Sequence, residues 1–201
     1  MNYAAAHQVA LEKFRACSLE DVARCSGFPI EGNTIFINFL GGHYYVDYPG
    51  GNFRSATSKD ELPVFTQILI LHYLINLTET AETGQLISFK ELPGGSIYIQ
   101  PFTHRAIDPL VRSFGSDLNR LLEAAARLGG LSNGLGDVGV TVRIFPRVPV
   151  TLILWRADDE FPASGNILFD SSASSILPTE DYAVLASVVV GALKRVGSSD
   201  L

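Results

Sequence analysis

The chain has 201 residues, a formal net charge of −6 at pH 7 and hydrophobic side chains at 47% of its positions. This length and apolar fraction are typical of a folded protein with a sizeable core, and they exclude a disordered chain. The acidic balance excludes the basic surface that nucleic acids or an anionic membrane would require. We therefore expect a cytoplasmic protein that binds neither nucleic acid nor membrane.

The N-terminal segment, residues 1–28, is predicted to be helical. Ser18 begins its second helix with a sequence that resembles a capping box, and Gly27 is a typical helix stop. Cys17 and Cys25 do not follow the spacing of a zinc or iron–sulfur site, so we expect reduced structural thiols.

A β-hairpin is the clearest local pattern that follows. Two β-rich runs flank Gly41-Gly42, and the register predicted from that turn places Phe39 opposite Tyr44. One face of the hairpin is then mixed, and the other is predicted to be wholly apolar or aromatic, with Ile35, Ile37, Phe39, Tyr44, Val46 and Tyr48. A pocket walled by such aromatic strands suits a large flat ligand, which makes Tyr44 and Tyr45 candidate ligand-binding residues. The alternative is that these side chains belong to an ordinary core between sheet and helix.

The most apolar segment of the chain is predicted to form a core helix from Pro63 to about Glu79. His72, Asn76 and Glu79 form one polar stripe on it. His72 is a candidate axial ligand for the iron of haem or the cobalt of a corrinoid. The alternatives are a core histidine hydrogen-bonded to the backbone or a tyrosine, and a histidine at the polar edge of the helix.

The middle of the chain is predicted to contain short strands at residues 85–90 and 96–102, separated by a turn at residues 93–95. His104 follows in the sequence QPFTHRAID, which we interpret as a loop that a ligand can reach. It is a second candidate ligand residue, and the alternative is an ordinary surface histidine. A helix is predicted to begin near Ser116 and to end before the glycines that follow it.

The C-terminal third contains predicted strands at residues 140–145, 150–155 and 166–169, followed by a final helix that either Thr179 or Ser175 caps. The glycine-rich loop before these strands lacks the Gly-Lys-Ser/Thr of a phosphate-binding loop, and it precedes a strand where that motif requires a helix.

Four carboxylates in this region form a candidate metal site: Asp158, Asp159, Glu160 and Asp170. Their oxygens suit a hard cation, and one of them would suit general acid–base chemistry if it were desolvated. The alternative is a solvated turn whose acids pair with nearby arginines or a helix N-terminus.

The order of these elements lacks strict strand–helix–strand alternation and joins several strands by short turns. This pattern favours an α+β fold with a mainly antiparallel sheet and with helices packed mostly on one of its faces. We expect a single domain over residues 1–201, with the helical segment 1–28 preceding an α+β core at residues 30–196.

Several sequence blocks carry a family resemblance: FPRVPVTLILWRADDEFPA from residue 145, NILFD from 166, LPTED from 177, LHYL from 71 and the pair Phe114-Gly115. Together they resemble an uncharacterised prokaryotic family, domain of unknown function 3786, from about residue 30 onward. The resemblance implies an origin in mostly anaerobic bacteria and archaea. It also implies relatives joined to a cysteine-rich iron–sulfur domain of the type found in corrinoid proteins of one-carbon metabolism. This chain has no such cysteine cluster.

Our first functional hypothesis is therefore a non-catalytic binding protein for a ligand or partner, with a tetrapyrrole as the ligand, a corrinoid before a haem. The second is an enzyme that uses the acidic residues between Asp158 and Asp170. The third is an interaction subunit for an iron–sulfur protein.

Overall fold

The structure is a computed structural model that describes residues 3–57, 61–76 and 79–198. The chain divides into two compact units. Unit 1 comprises Met1–Ala81, Phe145–Arg147 and Ser175–Leu177, and unit 2 comprises Glu82–Ile144, Val148–Ser174 and Pro178–Leu201. That the two units form the one expected domain stays a prediction.

Unit 1 is built from helices and an antiparallel sheet. Its helices are α1 (Tyr3–Ala16), α2 (Leu19–Ser26) and α3 (Val64–Ile75), and its strands are β1 (Ile30–Glu31), β2 (Thr34–Phe39), β3 (Gly42–Asp47) and β4 (Asn52–Ser55). The four strands pair in sequence order. As predicted, the Ser18 side chain caps α2 by accepting from the Asp21 N–H at 3.3 Å, and Gly27 ends the helix with φ +72°. Helix α3 ends at Ile75, and residues 77 and 78 of the longer predicted helix lie outside the described residues.

The β2–β3 hairpin has the predicted faces and a different register. Ile35 pairs with Val46 and Phe39 with Gly42, so the turn is Leu40-Gly41, with φ of +48° and +78°. The predicted register was therefore wrong by two residues. Because side chains alternate with a period of two along a strand, this shift keeps every side chain on its predicted face. The observed register brings together two fully buried side chains, Ile35 and Val46.

Aromatic rings fill the core of unit 1. Phe145 stacks on Tyr73 with ring centroids 4.4 Å apart, and Phe28 and Phe39 pack against the Phe145 ring. The buried hydroxyl of Tyr73 donates to the Ser26 carbonyl oxygen at 2.7 Å, which satisfies the one polar atom of that side chain.

Unit 2 contains a five-stranded sheet with the order β5-β9-β8-β7-β6. Its strands are β5 (Leu86–Ser88), β6 (Leu131–Ser132), β7 (Val138–Phe145), β8 (Val148–Trp155) and β9 (Ser164–Asp170), where Phe145 itself belongs to unit 1. Its helices are α4 (Ile99–Phe102), α5 (Asp108–Phe114), α6 (Leu118–Arg127), the short α7 (Ala173–Ile176), whose last two residues belong to unit 1, and α8 (Thr179–Gly197). The α+β class with antiparallel strands is thus confirmed, and the strands form two sheets.

One predicted strand of unit 2 was wrong. Residues 96–102 were expected to form a strand, but they form the end of a turn followed by helix α4. Two features explain the difference. Pro101 lies in the first helical turn, where its missing N–H costs no hydrogen bond, whereas a strand would lose one. Phe102 is also buried on the helical face, where its ring contacts other aromatic rings.

Candidate functional site

A widened helical turn in unit 2 carries the side chain that we consider the best candidate for ligand contact. Residues Thr103–Ile107 form one turn of π-helix between α4 and α5, and the Asp108 N–H donates to the Thr103 carbonyl oxygen, five residues back. Pro109 follows at once, and proline cannot donate to the carbonyl of Arg105 as a regular α-helix would require. Single π-turns of this kind are frequent at functional sites.

His104 lies in this turn and is oriented by Asp108. The Nδ1 atom of His104 is 2.8 Å from Oδ2 of Asp108, and the two side chains are 77% and 40% exposed. Because an ionised carboxylate only accepts hydrogen bonds, Nδ1 carries the proton of this bond. In the neutral imidazole, Nε2 then carries the free lone pair. A carboxylate behind an outward Nε2 is the arrangement that proteins use to orient metal-binding histidines.

His104 also lines an open depression of about 430 Å³. The other lining residues are Lys90, Ile99, Gln100 and Thr103, so the depression combines one apolar side chain with several that donate hydrogen bonds. Two large apolar residues, Ile97 and Tyr98, immediately precede this wall in the sequence and are 79% and 51% exposed. Concave surfaces with a few polar groups beside exposed apolar side chains are typical of ligand sites.

The two walls of the depression are joined beneath the surface by an aromatic stack. Phe89, next to Lys90, lies parallel to Phe102, next to Thr103, and both rings are buried. The short 3₁₀ turn that carries Phe89 and Lys90 is closed by Glu91, whose carboxylate accepts from the Ser88 N–H at 2.7 Å and the Ser88 hydroxyl at 2.8 Å. These bonds, the backbone one first, lower the pKa of Glu91. The site is therefore built on packed elements.

The other candidate ligand-binding residues from the sequence, His72, Tyr44 and Tyr45, lie in unit 1. His72 is a half-buried residue of α3, and its carbonyl oxygen accepts from the Asn76 N–H. Tyr44 and Tyr45 are neighbours on β3, so they point to opposite faces of the sheet. The Tyr45 ring contacts Phe36 edge-on at 5.3 Å and lies 5.7 Å from the Arg54 guanidinium. The two tyrosines therefore do not form one wall together.

The acidic turn between β8 and β9 is organised by its own backbone. Oδ1 of Asp158 accepts from the N–H groups of Phe161 at 2.7 Å and Glu160 at 2.9 Å, and these bonds lower the pKa of Asp158. Asp159 and Glu160 are exposed. The arrangement is that of a turn held by an aspartate side chain.

Asp170 lies at the end of β9 and is only 4% exposed. Its hydrogen-bond partners are different from those of the acidic turn. Its carboxylate accepts from the N–H groups of Thr83, Gly84 and Ser172 and from the hydroxyls of Thr83 and Ser172, at 2.6–3.1 Å. Burial alone would raise the pKa of Asp170, but the hydrogen bonds, of which the Ser172 hydroxyl is the largest, hold that pKa well below its usual range. Among the described residues, no three His, Cys, Asp or Glu side chains come together as a set that could hold a metal ion.

Two residues on which the candidate site depends, Asp108 beside His104 and Lys90 in the lining of the depression, were not found from the sequence. Asp108 follows His104 by four positions, a spacing that brings two side chains together only if the segment is helical. The prediction of a loop for this segment was wrong, because residues 99–114 are helical. Lys90 lies in a different element, and nothing in the sequence connects it to His104.

Comparison with known proteins defines the family of the chain. The model of a domain of unknown function, DUF3786, matches residues 18–192, and the chain belongs to this family. The match includes α2, which precedes the region where the resemblance was recognised. No curated protein and no solved structure matches the chain. Over the residues described, none of the helices combines the length and the apolar character that crossing a membrane requires.

Proposed function

We propose that this chain is a non-catalytic cytoplasmic binding protein whose ligand site is the depression at His104. The ligand class that we propose is a metal-bearing tetrapyrrole, a corrinoid before a haem, with Nε2 of His104 as the axial ligand. The observation that carries the proposal is the hydrogen bond between His104 and Asp108 at the rim of an open depression. The corrinoid comes from the family resemblance, and it connects the proposal to anaerobic one-carbon metabolism.

The donor set suits this ligand class better than it suits a bare metal ion. A tetrapyrrole supplies the equatorial ligands itself, so the protein contributes only one or two axial groups. One oriented imidazole therefore suffices, whereas a bare ion needs several protein ligands brought together. The apolar side chains Ile97, Tyr98 and Ile99 provide a surface on which a flat macrocycle can rest.

The test is a visible absorption titration of anaerobically purified protein with a corrinoid that carries exchangeable axial waters, with haem in a parallel series. Replacement of a water by an imidazole shifts the bands of the macrocycle. A ligand present at about 100 times its Kd adds about 2.7 kcal/mol to the free energy of unfolding. For a chain of this length we therefore expect a rise in Tm of about 5–10 °C.

Three histidine variants assign the axial ligand. His104→Ala is expected to abolish the band shift, and His43→Ala is the matched control. His43 is exposed and hydrogen-bonded by Nδ1 to Asn38 at 2.6 Å, so it is a second oriented histidine in unit 1. His72→Ala tests the other histidine that the sequence names as a candidate axial ligand. If neither macrocycle produced a band shift or a thermal shift, the proposal would be wrong. A band shift that is lost only in His72→Ala would place the site at α3.

The enzyme hypothesis at the acidic residues has less support, because Oδ1 of Asp158 and both carboxylate oxygens of Asp170 already accept hydrogen bonds within the protein. Asp159→Asn and Glu160→Gln test it, because a catalytic or metal-binding role predicts lost activity or lost metal-dependent stabilisation with intact folding. An iron–sulfur protein as partner stays a prediction, which co-purification from an anaerobic host would test.

A further inference from the structure

Three side chains that can donate hydrogen bonds line the depression together with His104. Lys90 contributes an ammonium group, Gln100 an amide and Thr103 a hydroxyl, and each of these groups can donate. Within the described part of the chain, the Lys90 ammonium has no acidic partner. A lysine without a partner beside two further donors is suited to an acceptor that a ligand brings.

The acidic side chains closest in sequence to these donors are already engaged. Asp108 accepts from His104, and Glu91 accepts from the backbone and hydroxyl of Ser88. Neither carboxylate lines the depression. The charge left on the lining is therefore the positive charge of Lys90.

The position of Lys90 is fixed by the surrounding structure. Its neighbour Phe89 is held in the stack with Phe102, and its own carbonyl oxygen accepts from the Ser96 hydroxyl at 3.1 Å. The backbone on both sides of the depression is thus set before a ligand arrives, which reduces the entropy lost on binding.

From these contacts we infer that the ligand of this depression is an anion: it carries a carboxylate on its periphery that pairs with Lys90 while His104 faces its metal. This inference rests on the proposed function and narrows it to macrocycles with free acid side chains: a corrinoid whose acid side chains are not amidated, or a haem with its propionates. Gln100 and Thr103 complete the recognition by donating to the same group or to a neighbouring acceptor. Because Lys90 is exposed, the ion pair contributes modestly and weakens with added salt.

The experiment compares two corrinoids with the same ring and cobalt: cobyrinic acid, with free carboxylates, and its fully esterified form. At low ionic strength we expect the acid to bind the full chain about two- to fivefold more tightly than the ester. Lys90→Met should remove this preference, so that the acid and the ester bind the variant with equal affinity. Lys194→Met removes an exposed lysine of α8 that does not line the depression, so it serves as the charge-matched control.

The possible results distinguish a failure of the anion inference from a failure of the proposed binding function. Equal affinity of the native protein for acid and ester, with a band shift that depends on His104, would overturn the anion inference and leave the binding function standing. A preference for the acid that persists in Lys90→Met, or that Lys194→Met also removes, would overturn the assignment to Lys90. Failure of both corrinoids to bind would overturn the inference and the proposed corrinoid ligand together.

Discussion

Phe89 and Phe102 lie face to face, with ring centroids 4.0 Å apart and planes 7° from parallel. Phe89 belongs to the 3₁₀ turn that carries Lys90, and Phe102 is the last residue of the helix that leads into Thr103 and His104. Both rings are at most 1% exposed. The stack therefore fixes the distance between the two walls of the proposed site.

Removing one ring of this stack should destabilise the protein strongly. Phe102→Ala is expected to lower the free energy of unfolding by about 3–5 kcal/mol, because it deletes a fully buried aromatic side chain and leaves a cavity. Urea unfolding followed by the fluorescence of Trp155, the single tryptophan, measures the change. Phe161→Ala is the control, since Phe161 is 66% exposed and its truncation should cost less than about 0.5 kcal/mol. Equal effects of the two substitutions would contradict the stack.

The turn before α4 depends on the absence of a side chain at Gly95. A Cβ atom there would lie 1.8 Å from the carbonyl oxygen of Phe89, which is backbone and cannot move aside. We expect Gly95→Ala to cost about 3 kcal/mol through overpacking. Its neighbour Gly94 has φ +74° and open space around it, so Gly94→Ala should cost only about 1 kcal/mol of backbone strain. Thermal unfolding of both variants tests which substitution destabilises the protein more. A milder effect of Gly95→Ala would be inconsistent with the close approach of residue 95 to the Phe89 carbonyl oxygen.

A substitution at Gly191 should instead stabilise the protein. It lies inside α8, and a Cβ atom at this position would meet nothing within 4 Å. Gly191→Ala should therefore raise the free energy of unfolding by about 0.5–1 kcal/mol, because alanine loses less backbone entropy in a helix. Chemical denaturation gives the value directly. A decrease in stability would show that the exposed side of α8 is not open at this residue.

Asp170 should make stability depend on pH in the acidic range. Its pKa is lowered in the folded protein, so its contribution is fully present above the unfolded pKa of about 3.9 and is lost as the pH falls from there toward the folded pKa. At pH 7 we expect Asp170→Asn to be less stable than the native protein by roughly 2–4 kcal/mol.

The same comparison at lower pH identifies the charge as the cause. The difference between the native protein and Asp170→Asn should shrink by up to about 1.4 kcal/mol for each pH unit below the unfolded pKa. Asp159→Asn, at an exposed position of the acidic turn, is the control and should have little effect at any pH. A stability difference for Asp170→Asn that is constant between pH 7 and pH 3 would argue against an ionised carboxylate.

The faces of the hairpin were predictable from the sequence because the side-chain period of two survives a shift of the register by two residues. The register of the hairpin was not predictable in this way, because it depends on which residues adopt positive φ. Leu40 does so beside Gly41, although glycines at 41 and 42 suggest a turn one residue later. A leucine in this conformation is held by the pairing of buried side chains around it.

Helix α4 was missed for a related reason. The residues from Ser96 to Phe102 include β-branched and aromatic side chains that favour a strand in isolation. Their conformation is decided by burial of Phe102 against Phe89, a tertiary contact that the local sequence does not show. A strand over residues 96–102 implies a loop at His104, and in a loop the spacing of four residues does not indicate a pair between His104 and Asp108.

The proposed function requires that Nε2 of His104 coordinates the metal of a bound macrocycle. Electron paramagnetic resonance of a Co(II) corrinoid bound to the protein tests this coordination most directly, because a coordinated imidazole nitrogen splits the cobalt lines. We expect a nitrogen splitting that changes when the protein contains isotopically labelled histidine, disappears in His104→Ala and persists in His43→Ala. Asp108→Asn should weaken binding by about 10–100-fold. A bound corrinoid without nitrogen splitting from histidine, or with the same splitting in His104→Ala, would contradict the claim.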